Sequence, residues 1–204
     1  MASSQLATPG AKGPEPLAVS DDPVEVTDEE LMERYVRSGD AQAFEALFRR
    51  YAGRLHGLFL RSNGTRDLAS DLVQKTFMHV HRARADFQQG RPFRPWIYTI
   101  ALNVRREEGR KRARSREVAV NVDDVREPSV EPDAKSATDR LVQRALTQLS
   151  DGQREVILLH WYEGLSFPEI AEMLGATVSA VKVRAHRGYG ELRRMLGGDE
   201  EGKA

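Results

Sequence analysis

Thr177 to Gly188, TVSAVKVRAHRG, sets Lys182, Arg184, His186 and Arg187 among small apolar residues. The chemistry within reach of these side chains is N–H donation toward phosphate oxygens and base edges; no nucleophile–base constellation accompanies them. A second concentration, Asn103 to Arg116, holds seven bases against two acids and continues the run RPFRPWIYTIALNVRR, with Phe93, Trp96 and Tyr98 at its start. Cations for phosphates and rings for unstacked bases are what strand-separated DNA requires. Burial of Phe93 and Trp96 in a core is the competing use of the same rings.

Catalytic constellations are missing. His79 and His81 stand two apart on an expected helix, so they point about 200° from each other and cannot share a metal. Glu169 and Glu172 are better read as a cap and an exposed acid. No nucleophile–base pair or phosphate loop occurs, so no enzyme, cofactor or metal is expected. The absence of Cys excludes disulfides and thiolate metal sites.

The formal net charge is zero, yet the charges are sorted. Residues 1–30 carry one base against seven acids, and residues 117–139 two bases against seven. Two basic blocks separated by acidic stretches suggest two contacts with a polyanion. No apolar run approaches the roughly 20 residues of a membrane span, and the start lacks signal-peptide order. A cytoplasmic protein without membrane insertion is expected.

Elements able to position these blocks are legible from periodicity and caps. Residues 1–26, with four Pro, read as a disordered tail. Thr27 to Glu30 is a capping box before Leu31, Met32, Tyr35 and Val36, and Gly39 ends that helix. Asp40 caps a second helix through Phe44, Leu47, Phe48, Tyr51, Leu55, Leu58 and Phe59. Thr65 caps a third, through Leu68, Leu72, Val73, Phe77 and Val80, and Pro95 is placed to start a fourth through Ile97, Ile100 and Val104. Residues 117–137 read as a flexible acidic linker. Beyond it come a helix over Leu141 to Leu149, boxes at Ser150–Gln153 and Ser166–Glu169, stops at Gly164 and Gly175, and a last helix from Thr177. Residues 198–204 form an acidic tail. The chain is expected to be all-α: two small helical domains, 27–116 and 138–197, the second a helix-turn-helix.

On a wheel turning 100° per residue, Val178, Ala185, Gly188, Leu192 and Leu196 cluster around Val181, with Ser179, Lys182, Val183, His186 and Arg187 opposite and Arg184 at the border. Ala171, Gly175 and Val181 fall where a helix-turn-helix needs a small residue, a turn-former and a core residue. Such a unit places its second helix in the major groove.

Four successive stretches carry a resemblance. DEELMERYVRSGDAQAFEALFRRYAGRLHGL, DLASDLVQKTFMHVHRA, RPFRPWIYTIALNVRRE and LTQLSDGQREVILLHWYEGLSFPEIAEMLGATVSAVKVRAHRGYGELRRML resemble, in order, the bacterial RNA polymerase sigma factors of the extracytoplasmic-function group. The resemblance implies a factor that binds core RNA polymerase, directs it to promoters and helps melt the −10 element. Asp71, Leu72, Gln74 and Phe77 would face the clamp coiled-coil of the largest subunit, with the flap as a further contact. Phe93, Trp96, Asn103, Arg105 and Arg106 would serve the −10 DNA, and the loop from Asp86 to Arg91 would help capture a flipped base. Thr177, Ser179, Ala180, Lys182, Val183, Arg184, His186 and Arg187 would serve the −35 DNA. The acidic linker would run toward the RNA channel, and an anti-sigma factor is an expected partner. Lys75 stands where the family commonly has an acid, Val183 where it commonly has a polar residue, and Gly109 is expected to end the fourth helix early. The alternative is a stand-alone helix-turn-helix regulator.

Overall fold

The computed structural model describes residues 26–62, 64–118 and 137–197; the expected tails and nearly all of the linker lie outside them. Every regular element among the described residues is helical.

Helix α1 (Asp28–Ser38) opens on the expected box: Thr27 Oγ1 accepts from the Glu30 amide at 3.2 Å, and Glu30 accepts from the Thr27 amide at 2.8 Å. Gly39, at a left-handed φ of 66°, lets the chain reverse. Asp40 then accepts from the Gln42 and Ala43 amides to start α2 (Ala41–Arg61). Thr65 caps α3 (Arg66–Arg82), which a short 3-10 turn at Arg84–Asp86 follows.

Helix α4 (Phe93–Val118) departs from expectation at both ends. It begins at Phe93, ahead of Pro95, because the Phe93 amide donates to Glu29 of α1 at 2.8 Å. Pro95 then occupies the first turn, where its missing N–H costs nothing. Gly109 does not end the helix. The pairs Glu107–Lys111 at 2.9 Å and Glu108–Arg112 at 3.2 Å bracket it, each one turn long. A lone glycine costs about 1 kcal/mol against alanine, too little to break a helix anchored on both sides.

Past the linker, α5 (Ala137–Gln148) has its C-terminal carbonyls taken up by buried Arg154, which donates to Leu146 O at 2.7 Å, Thr147 O at 2.9 Å and Leu149 O at 2.7 Å. Helix α6 (Asp151–Ile157) passes directly into a π turn, Leu158–Tyr162, before Gly164 reverses the chain. Helix α7 (Phe167–Leu174) carries the expected box at Ser166 and ends at Gly175. Thr177 caps α8 (Val178–Leu196) through the Ala180 amide at 3.1 Å.

The two expected cores are continuous. Met32, Leu47, Leu55, Phe59, Ile97 and Tyr98 belong to the same buried cluster as Leu158, Leu159, Ile170 and Val181. Helix α4 packs on α7, and α2 packs on α5 and the π turn. Burial on this scale is the main favourable term in holding the helices together.

Candidate nucleic-acid interface

Helix α8 separates its faces as the wheel requires. Val181, Ala185 and Gly188 are buried against the preceding helices, while Ser179, Lys182, Val183, Arg184, His186 and Arg187 are exposed. Thr177 is exposed and occupied as the cap; Ala180 is half-buried. Val183, 48% exposed, puts an apolar patch among the donors. Such a residue can meet a thymine methyl in the major groove.

The aromatic start of α4 is a correction. Phe93 is 0% exposed, enclosed edge-on by Tyr51 and Phe87 and tilted against Trp96. Tyr98 is equally buried, and its hydroxyl donates to Glu163. Burial, reinforced by the Glu163 charge, pushes Tyr98 ionisation far up, so that proton stays on oxygen. Neither ring offers a face to a base. Trp96 is half-buried, edge-on to Phe87, and Asn103 is exposed.

Arg105 and Arg106 lie farther along α4 and are not free. Arg105 Nη2 donates to Glu155 Oε1 at 2.7 Å, and Arg106 Nη2 to Glu155 Oε2 at 3.0 Å. Glu163 pairs in the same cross-module manner with Arg54 at 3.2 Å, and Glu172 with Arg91 at 3.1 Å. Glu155 and Glu163 escaped the sequence reading, although for Glu155 a signal existed; Glu172 is the exposed acid expected. Glu155 precedes Val156, Ile157, Leu158 and Leu159 in a run that is otherwise apolar, and a carboxylate buried there must meet a cation.

On the opposite side of the N-terminal module, α2 and α3 leave a groove of about 910 Å³ lined by Phe44, Phe48, Val73, Gln74, Phe77 and Met78. Phe48 and Met78 are 41% and 45% exposed; spacing places Phe48 in the apolar stripe of the second helix, and nothing in the sequence singles out Met78. Among the residues expected to face a partner, Gln74 is exposed and Asp71 half-exposed, paired with Lys75 at 2.6 Å. Phe77 is buried against Phe44 and Phe48 and forms the groove floor. Leu72 is a correction: at 2% exposure it is core, and no partner can touch its side chain.

Residues 47–115 match the family model described as Sigma-70 region 2, and residues 139–192 the one described as Sigma-70, region 4. Over 167 residues the chain is 40% identical to the RNA polymerase sigma factor CarQ of Myxococcus xanthus, covering 81% of this chain and 95% of that protein. It is 33% identical to the ECF RNA polymerase sigma factor SigM of Mycobacterium tuberculosis, covering 85% of this chain and 86% of SigM. The chain is an extracytoplasmic-function sigma factor of the sigma-70 family. As a sigma factor it directs RNA polymerase to promoters. With region 2 preceding region 4, the stand-alone regulator has no support.

Two solved structures share the fold. One is RpoE in complex with the anti-sigma factor NepR from Bartonella quintana, with a TM-score of 0.69 and 26% identity, covering 78% of this chain and 99% of that one. The other is CnrH in complex with the cytosolic domain of CnrY, with a TM-score of 0.65 and 30% identity, covering 84% and 98%. No described helix of this sigma factor is long and apolar enough to cross a membrane.

Proposed function

We propose that this sigma factor divides its work among three surfaces. The exposed face of α8, from Thr177 to Arg187, reads the −35 duplex, with Lys182, Arg184 and Arg187 on phosphates or base edges and Val183 on an apolar edge. Arg105, Arg106, Asn103 and Trp96 of α4 serve the −10 element and its melting. The α2/α3 groove, with Gln74 and Asp71 at its rim, receives the clamp coiled-coil of the polymerase's largest subunit, and the flap contacts the C-terminal module. The factor works in the cytoplasm with the polymerase, and the chain itself catalyses no reaction. An anti-sigma factor is the natural antagonist, by analogy with NepR, the partner of RpoE. Modules 27–116 and 138–197 are the working domains.

One observation carries this reading: α8 buries Val181, Ala185 and Gly188 while its whole opposite face, rich in donors, is open to solvent. A merely structural surface helix has no need to gather three cations, an imidazole and a valine on one stripe. Footprinting of the reconstituted holoenzyme tests it. Protection is expected at two separated promoter patches, and Lys182→Ala with Arg187→Ala should erase the upstream one alone. Unchanged upstream protection would overturn the assignment of α8.

A further inference from the structure

We infer that Glu155 is an internal stand-in for a DNA phosphate, closing the free chain over the arginines that serve the −10 element. The inference rests on the reading of Arg105 and Arg106 as DNA contacts. Oε1 of Glu155 accepts from Arg105 Nη2 at 2.7 Å and from Arg106 Nη2 at 3.2 Å, while Oε2 accepts from Arg106 Nη2 at 3.0 Å. Two guanidiniums converging on one oxyanion is how arginines take a phosphate. Glu155 is 7% exposed and the Arg105 side chain 21%, so a nucleic-acid phosphate cannot reach Arg105 while the carboxylate sits there; the Arg106 side chain, 40% exposed, is partly covered and engaged through Nη2.

The ion pairs found across the seam among the described residues share one polarity. Their carboxylates, Glu155, Glu163 and Glu172, all come from the C-terminal module, and the cationic partners Arg105, Arg106, Arg54 and Arg91 from the N-terminal one. Arg61 adds a guanidinium 4.4 Å from the centre of the Tyr162 ring, in the same direction across the seam. The C-terminal module therefore presents an anionic surface to a basic one, which is the role DNA plays in the promoter complex. Charged seams of this kind are suited to opening, because solvent and a competing polyanion can replace each partner.

Opening is also required by length. Elements centred near −10 and −35 lie about 25 base pairs apart, roughly 85 Å of duplex at ~3.4 Å per base pair. A compact globule of this chain length is roughly 45 Å across. The residues between Val118 and Ala137 can reach at most about 60 Å when extended, which is room enough for the modules to part. While the closed form dominates, the apparent dissociation constant for DNA is the intrinsic one divided by the fraction of molecules that are open, so binding is weakened in proportion.

The test uses the full chain, which has no native Cys, with Leu60→Cys and Gln143→Cys introduced across the seam, where the Gln143 amide donates to Leu60 O at 3.4 Å. A short bis-maleimide with a reducible centre should cross-link the free protein efficiently, and adding Glu155→Gln should lower that yield. In the chain without introduced thiols, Glu155→Gln should raise affinity for a fluorescent AT-rich DNA about tenfold in the absence of polymerase. The cross-linked protein bound to core polymerase should give no promoter transcript until reductant cleaves the link. Absence of cross-linking, unchanged DNA affinity in Glu155→Gln, or full transcription by the locked protein would each overturn the inference. Arg105→Ala with Arg106→Ala, assayed in the holoenzyme, tests the underlying reading separately. Normal −10 opening there would remove the DNA role of the arginines, whatever the cross-link reports.

Discussion

A Cβ added at Gly188 would stand 2.6 Å from Ile157 Cδ1 and 3.3 Å from Gln153 Cβ, so any larger residue where α8 crosses α6 forces the Ile157 side chain to move. The contact sets the reading helix on its support. Gly188→Ala is expected to destabilise the chain by about 1–3 kcal/mol, the usual range for overpacking. Gly190→Ala, with nothing within 4 Å of its added Cβ, should be neutral or stabilising by up to about 1 kcal/mol. Urea midpoints of the two variants check this; equal midpoints would mean that the close crossing is absent in solution.

Phe48 and Met78 stand exposed over the groove floored by Phe77. Replacing both with Ser should weaken capture of core polymerase about tenfold or more, since each removes apolar area an interface would bury. The melting temperature should fall only modestly, because Met78 and Phe48 are each more than two-fifths exposed and Phe44 still packs on Phe77 when Phe48 is removed. A pull-down titration paired with thermal melting separates the outcomes. Loss of stability with full polymerase affinity would assign the pair to folding alone.

Lys75 lies 2.6 Å from Asp71 and 2.8 Å from Glu108. Bonds to Asp71 and then Glu108 hold its ammonium above the ordinary lysine range, and Lys75 in turn holds Glu108 below the ordinary carboxylate range. A raised lysine contributes stability that is whole below its unfolded value, about 10.4, and is lost as pH climbs through the folded one. A depressed glutamate contributes above its unfolded value, about 4.3, and the contribution is lost as pH falls through the folded one. Lys75→Met should therefore cost at most about 1 kcal/mol at pH 7, because solvent screens a partly exposed pair. The difference from wild type should shrink once acid protonates Glu108. Chemical denaturation at pH 7 and pH 3 reads both values; a gap that widens in acid would contradict the pairing.

Salt offers a check on the α8 surface. Each phosphate neutralised by a Lys or Arg contributes a slope of about −0.9 to log affinity against log salt. Removing Lys182 or Arg187 should make the holoenzyme's slope shallower by about one phosphate's worth. An unchanged slope would place those cations off the DNA.

The helices and their ends were legible because their signals are local. Thr27, Asp40, Thr65, Ser166 and Thr177 each cap from within a few residues, and Gly39, Gly164 and Gly175 supply left-handed turns whatever surrounds them. The exposed face of α8 followed from periodicity in the same way. What periodicity cannot show is which of several apolar residues meets solvent. Phe93 and Tyr98 are buried because α1, α2 and the C-terminal module close over them, and Phe48 is exposed because none does. Gly109 misled because its local penalty is overruled by flanking ion pairs. Glu155 and Glu163 meet their partners from 49 or more residues away, beyond the reach of any spacing rule.

Transcription reconstituted from core polymerase and the purified full chain on fragmented genomic DNA, with start sites mapped by sequencing, bears most directly on the promoter-reading role of α8. Wild-type protein is expected to give discrete starts sharing an upstream element, and Lys182→Ala with Arg187→Ala should lower them tenfold or more without loss of polymerase binding. Discrete starts at undiminished yield from the double variant would contradict the assignment of α8 as the reader of that element.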